Sequence, residues 1–232
     1  DVYSTDTDQF NYMIEGFYKK SKSLNPGTQK PKGSLVGMIS PHIDYQRGWK
    51  TYAQLWDFAK DSIENIEVIL ILGTNHYGEF GTITPTLQNY STPIGVMKTD
   101  EEIVKRLISQ LGNTPEELHH ATEHSIQLAC NWVHHTFKNN DFTLVPILCG
   151  SFHEFIISDR DPKNHKNFNI LLDEISNSFK TRKTLVIAAA DLAHVGPAFG
   201  DIQPLLCVCG THTRADRSDS TDASRRTSAP PQ

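Results

Sequence analysis

Four short apolar runs separated by stretches of helical periodicity constrain this chain more than any other feature. Leu35 to Ser40 follows Pro31 and Gly33, Ile66 to Leu72 is nearly continuous and rich in β-branched residues, and Phe142 to Leu148 and Thr184 to Ala190 complete the set. Runs of this length read as strands, and strands apolar on both faces need cover on both faces. Between the first two, Trp49, Tyr52, Ala53, Trp56 and Ala59 recur at helical spacing. Ile126, Ala129 or Cys130, Val133 and Phe137 do the same, and a helix over Phe168 to Phe179 would turn Leu171, Leu172 and Ile175 inward. Thr99 and Glu102, ahead of Ile103, Leu107 and Leu111, read as a capping box, with Thr99 accepting a backbone N–H and Glu102 reaching back. Strands alternating with helices predict an α/β fold of three layers, a largely parallel central sheet between two layers of helices.

A chain of 232 residues can bury one substantial core, and no apolar stretch in it approaches a membrane span. The net charge of −5 weighs against electrostatic capture of nucleic acid. Four irregularly spaced cysteines do not make a disulfide framework, so a reducing, cytoplasmic setting is expected, and no basic patch followed by an apolar run marks a signal peptide. The domain is expected over 33–202 after an N-terminal extension, 1–32, and before a tail, 203–232. From Gly210 to Gln232 there is no aromatic and no aliphatic larger than alanine, and arginine replaces lysine as the cation. Such a stretch cannot build a core, so disorder is expected there, with an aberrant origin.

In an α/β sheet the carboxyl ends of the strands share one edge, and the loops leaving that edge form the ligand crevice. Here the edge collects His42, Asp44 and Tyr45 after the first run, Asn75 and His76 after the second, and Asp191 and His194 after the fourth. Glu123 and His124, at a helix start, approach from the same side. Imidazoles with a carboxylate or thiolate suffice for a divalent transition metal, and His42 and His76 are the metal candidates. Asp191 with His194, and Glu123 with His124, suit proton transfer or the orienting of ligands. The pairs His119-His120 and His134-His135 lack this placement and are expected in surface or capping roles. Tyr45 reads as packing and Cys149 as an inert buried thiol. There is no GxSxG elbow, no Walker phosphate loop and no GxGxxG after the first strand.

Pro41-His42-Ile-Asp-Tyr45, Gly73-Thr-Asn-His76, Glu123-His124-Ser-Ile-Gln127, Val145-Pro-Ile-Leu148 and Asp191-Leu-Ala-His194 occur in the order seen in MEMO-like proteins. The chain resembles that family, whose bacterial members are called AmmeMemoRadiSam system protein B, over residues 33 to 200. The resemblance implies a fold similar to the class III extradiol dioxygenases, non-haem iron enzymes. It matches His42 and His76 to the family's metal-site histidines, Asp191 and His194 to the DxxH pair of the same pocket, and Glu123 and His124 to the EHS motif. The family's third metal-site residue is a cysteine in a C-terminal segment. Cys209-Gly210 lies close after His194 and leads into the polar tail, so that role is not transferred to it.

Three functions are compatible with this reading. One is a redox or dioxygenase-like protein holding Fe(II), with Zn(II) or Cu(II) as other occupants, and with His194 moving a proton. Another is a non-catalytic adaptor whose pocket takes a peptide or small molecule. The third is a zinc-dependent hydrolase with Glu123 as base. The family's bacterial name implies a functional link to a radical SAM protein.

Overall fold

The computed structural model describes residues 3–24, 33–62, 65–112, 115–190 and 197. Residues Asp1–Leu192 form one compact unit, to which the following description applies. In chain order its elements are α1 (Thr7–Leu24), β1 (Gly37–Ser40), α2 (Tyr45–Ala59), β2 (Val68–Thr74), β3 (Ile83–Pro85), β4 (Tyr90–Thr92), β5 (Gly95–Met97) and α3 (Glu101–Leu111). A 3-10 helix (Pro115–Ala121), α4 (Ser125–Thr136), β6 (Thr143–Cys149), α5 (His153–Ser158), a short 3-10 turn, α6 (Lys166–Thr181) and β7 (Thr184–Ala189) follow.

The four expected strands become β1, β2, β6 and β7, mutually parallel in a sheet of order β1-β7-β2-β6-β3, with β3 antiparallel at one edge. Side chains alternate across the sheet with period two. Ile69, Ile71, Leu185 and Ile187 face a core built with α1, α2 and α4. Val68, Leu70, Val145 and Ile147 face a second core with α3 and α6. This is the three-layer α/β architecture expected, reached because each central strand is apolar on both faces. The first segment contributes to it as well, since Phe10, Ile14 and Tyr18 of α1 are buried in the first core.

Several local expectations are corrected. The start of α3 is capped by Asp100, which accepts the Ile103 N–H at 3.0 Å. Thr99 is instead bridged to Leu144 and donates its hydroxyl to the Gln88 carbonyl. Glu102 pairs with Arg106 one turn on, outside any capping box. Leu172 lies on the exposed face of α6, whose inward ridge runs through Phe168, Leu171 and the buried Glu174, held by Arg106 at 2.7 Å. The short strands β3, β4 and β5 carry too few residues for a periodic signal. Pro146 is tolerated inside β6 because alternate N–H groups of a strand point to opposite sides. Thr143 donates toward β2, at Glu67, so position 146 faces the other side, beyond the register of the short β3.

Asp100 also accepts from Thr143 at 2.6 Å and pairs with Arg182, tying α3 to β6 and to the end of α6. Burial alone would raise its carboxyl pKa, but these donors together hold it below the ordinary value. A group whose folded pKa is depressed adds stability above its unfolded pKa, about 3.9, and that stability is lost as pH falls through the folded value. Asp100→Asn is therefore expected to destabilise the fold at pH 7 by about 1–2 kcal/mol. The deficit should shrink below about pH 4, and melting temperatures of both proteins from pH 3 to 8 check it.

Candidate metal centre

His42 lies in the loop between β1 and α2. Asp44 ends that loop as the N-cap of α2, accepting the Arg47 N–H at 3.0 Å, so its carboxylate serves the helix. This cap starts α2 at Tyr45, ahead of the apolar periodicity. Tyr45 is fully buried and donates to the Leu128 carbonyl at 2.8 Å, the packing role expected of it. His42, only 3% exposed, directs Nδ1 to the Ala189 carbonyl at 3.0 Å, at the end of β7. An Nδ1–H held by a carbonyl leaves Nε2 as the lone-pair nitrogen.

His76 leaves the end of β2, and Glu123 and His124 stand immediately before α4. The N-terminus of α4 is brought against β2 at Gly73, where a Cβ would lie 2.4 Å from Ile126 Cγ1 and 2.7 Å from Ser125 Oγ. Ser125 donates to the Thr74 carbonyl at 2.9 Å, fixing this approach. Glu123 and His124 lie at the helix start, as expected, just ahead of the first turn, and His124 occupies the N-cap position without a side-chain cap bond. The cap is supplied by Glu123, whose Oε1 accepts the N–H groups of His124 (2.8 Å) and Ser125 (3.2 Å).

Glu123 is also the hub of the site. Its side chain is 1% exposed, and it takes the His76 N–H on Oε2 at 3.0 Å. His76 Nδ1 lies 2.9 Å from Oε2, and His124 Nδ1 lies 3.1 Å from Oε1. Burial would push this carboxyl upward, but the hydrogen bonds from His76 and Ser125 outweigh it and hold the pKa below the ordinary range. One ionised carboxylate thus orients the His76 imidazole through Nδ1, the arrangement that directs Nε2 toward a metal, and lies beside the His124 ring at ion-pair distance.

The three rings converge. The centroids of His42 and His76 are 5.2 Å apart, those of His42 and His124 5.6 Å, and those of His76 and His124 5.0 Å, the last pair nearly parallel. One ligand nitrogen from each lies within 4.8 Å of the other two. An ion bound at about 2.0–2.1 Å would draw them closer together. The donor set fits a divalent transition metal on three counts: three convergent imidazoles, Nδ1 of His42 and His76 held by hydrogen bonds, and a buried carboxylate behind His76. His124, assigned from sequence to orientation or proton transfer, is thus placed beside the two metal candidates.

His76 also lines a cavity of about 560 Å³ along the carboxyl edge of β2, β6 and β7, with Asn75, Cys149, Phe152 and Ala189 among its walls. Burial raises the Cys149 thiol to about 12, as expected of an inert cysteine. Asp191 and His194 lie outside the described residues, as do Cys207 and Cys209.

The two adjacent histidine pairs depart from the surface roles expected of them. His135 is buried against Phe10 and Tyr18. His134 Nδ1 meets the Thr92 hydroxyl at 2.7 Å. His120 bridges the Tyr90 hydroxyl (2.7 Å) and the Thr84 carbonyl (2.8 Å), and His119 Nδ1 reaches Asn75 Oδ1 at 3.1 Å. Burial lowers the pKa of His120, His134 and His135, keeping these rings neutral. Sequence also missed the Ala189 carbonyl as the anchor of His42, since a backbone acceptor carries no residue signature.

A family model described as Memo-like protein matches residues 1–227. The chain is 26% identical over 164 residues to a MEMO1 family protein of Archaeoglobus fulgidus, covering 71% of this chain and 57% of that protein. It is 27% identical over 175 residues to one of Nitrosopumilus maritimus, covering 74% and 58%. With one of Aquifex aeolicus it shares 26% identity over 200 residues, covering 84% and 65%. The chain therefore spans between about half and two thirds of the length of these curated relatives.

Proposed function

Because the chain belongs to the Memo-like protein family, we propose that it holds one divalent metal ion on His42, His76 and His124 and presents it to a small-molecule or peptide ligand at the sheet edge. The observation that carries this reading is the convergence of the three histidines. One ligand nitrogen of each ring lies within 4.8 Å of the other two, while Glu123 takes Nδ1 of His76 and the Ala189 carbonyl takes Nδ1 of His42, leaving Nε2 of those two rings as the ligand candidates. Bound there, the ion would supply Lewis acidity and, as Fe(II), a redox couple.

The resemblance to extradiol dioxygenases favours Fe(II) and an oxidoreductase. On the same ground Asp191 and His194, which follow β7 directly in sequence, are assigned proton transfer beside the ligand. Glu123 then has a second duty, stabilising positive charge on the His76 ring it holds. Among the described residues no helix is long and apolar enough to cross a membrane. A cytoplasmic setting and a functional link to a radical SAM protein follow from cysteine usage and from the family's bacterial name.

A second reading is favoured by the donor set itself. Three histidines without a carboxylate ligand are the zinc pattern of hydroxide-generating sites, whereas iron oxygenases of the facial-triad kind use two histidines and a carboxylate. A Zn(II) hydrolase is therefore the main competitor, and an adaptor that binds its partner without metal is the third possibility.

The test is metal content of protein purified anaerobically and reconstituted with Fe(II), Zn(II) or Cu(II), beside a His42→Ala/His76→Ala variant. Near-stoichiometric metal in the wild type, absent from the variant, is the expected result. Oxygen uptake dependent on Fe(II) would then favour the redox reading, and ester hydrolysis restored by Zn(II) the hydrolase. Equal, trace metal in both proteins would sink the metal centre and leave the adaptor.

A further inference from the structure

We infer that Glu116 is a positioning residue that sets where His76 stands relative to Glu123 and His124. The inference rests on the metal reading above and adds a residue to it. Glu116 projects from the 3-10 helix Pro115–Ala121, and its half-buried carboxylate collects donors from two other segments. Oε2 accepts from Asn75 Nδ2 at 3.2 Å, from the Thr82 hydroxyl at 2.8 Å and from the Thr84 hydroxyl at 3.4 Å. Oε1 accepts the Glu79 N–H at 3.0 Å. One side chain thus binds the loop that carries His76 to the adjacent β3.

Asn75 transmits this to His76. Its amide is spanned from both ends: Nδ2 donates to Glu116, while Oδ1 accepts from His119 Nδ1 at 3.1 Å and from the Tyr77 N–H at 3.3 Å. Asn75 is buried, and its own N–H donates to the Cys149 carbonyl at 2.8 Å. Gly78 closes over the amide so tightly that a Cβ there would sit 2.6 Å from Nδ2 and 2.7 Å from Cγ. The same 3-10 helix reaches the other half of the centre, because the His119 carbonyl accepts the Glu123 N–H at 2.8 Å. Glu116 and His119 therefore grip the residue before His76 from the helix that leads into Glu123 and His124. The distance between the two halves of the site is fixed by a polar clamp outside it.

The experiment titrates Co(II), followed by its visible absorption bands, into wild-type protein, Glu116→Ala, Glu116→Gln and Thr86→Val. The last is a control that breaks the 2.6 Å Thr86–Glu117 contact of the same 3-10 helix without touching Asn75. Glu116→Ala is expected to bind Co(II) about 10- to 100-fold more weakly, with altered bands. Glu116→Gln should recover most of the affinity, because one amide oxygen can still accept from Asn75, Thr82 and Thr84, and Thr86→Val should match the wild type. In metal-free protein the ring ¹⁵N shifts of His76 should report a single Nδ1–H tautomer in the wild type and a mixture in Glu116→Ala. Unchanged affinity and unchanged ring signals in Glu116→Ala would overturn the assignment. Failure of the wild type to take up Co(II) would overturn the metal reading instead, and the His76 ring signals would then decide the role of Glu116 alone.

Discussion

Replacing Glu123 with alanine should weaken metal binding about 10- to 100-fold, the usual cost of removing the group behind a ligating histidine. Here the loss falls on His76 through its ring and on His124 through its backbone, since the same carboxylate accepts the His76 Nδ1–H and the His124 N–H. The fold should suffer as well. The N–H groups of His76, His124 and Ser125 all donate to this side chain, and buried donors left without acceptors cost about 1–3 kcal/mol each, though not additively. A total of roughly 2–4 kcal/mol is expected from urea unfolding of the metal-free protein. Glu123→Gln keeps the shape of the side chain but only one accepting oxygen. Because the backbone donors divide between the two carboxylate oxygens, His76 on Oε2 and His124 with Ser125 on Oε1, the NH2 faces a backbone N–H whichever way the amide turns. Stability should be recovered only in part, and metal affinity should stay low because the charge behind His76 is gone. If calorimetry instead finds alanine and wild-type proteins within threefold in affinity, Glu123 does not orient the site.

Trp132→Ala should be the most damaging single change away from the metal centre. Trp132 is fully buried on α4, its ring parallel to those of Tyr52 at 5.5 Å and Trp56 at 6.3 Å, with Tyr18 and Tyr45 set edge-on. Truncation of a packed tryptophan costs about 3–5 kcal/mol through lost contacts and the cavity left behind. For a chain of this size that is a fall in melting temperature of roughly 6–20 °C. The consequence reaches the site, because α4 is anchored in the aromatic core at Trp132 and delivers Glu123 and His124 at its start. Metal affinity measured below the melting transition should therefore fall too. Trp132→Phe should be far milder. The indole N–H of Trp132 has no acceptor among the described residues, so phenylalanine removes an unsatisfied buried donor while keeping most of the stacking. A large loss in Trp132→Phe would show that this N–H is satisfied after all.

Both predictions turn on α4, and α4 marks the boundary between what local sequence encodes and what it does not. The apolar runs at Ile66–Leu72 and Thr184–Ala190 read as strands from their shortness and apolar composition, and residues of this kind need cover on both faces. From them the parallel sheet and its two helical layers follow, and so does the placement of His42 and His76 just past strand ends. Chemistry local to a few residues was legible in the same way: Tyr45 as packing, Cys149 as a buried thiol, His42 and His76 as candidates for one centre.

Other features depended on contacts across the fold. Thr99 carries a capping sequence, yet Asp100 caps α3, because Thr99 is taken by its bridge to Leu144 and its bond to Gln88. His135 reads as a helix-end histidine, yet α1 covers it. Most of all, the site needed the sheet order. β7 is inserted between β1 and β2, which brings the Ala189 carbonyl under His42, and a glycine at position 73 lets α4 press its first residues against the end of β2. Periodicity reports which face of an element is apolar and where the element stops. It is silent on which distant carbonyl, carboxylate or glycine will meet a given histidine, because hydrogen bonds and close approach between segments are set by the packing of whole elements.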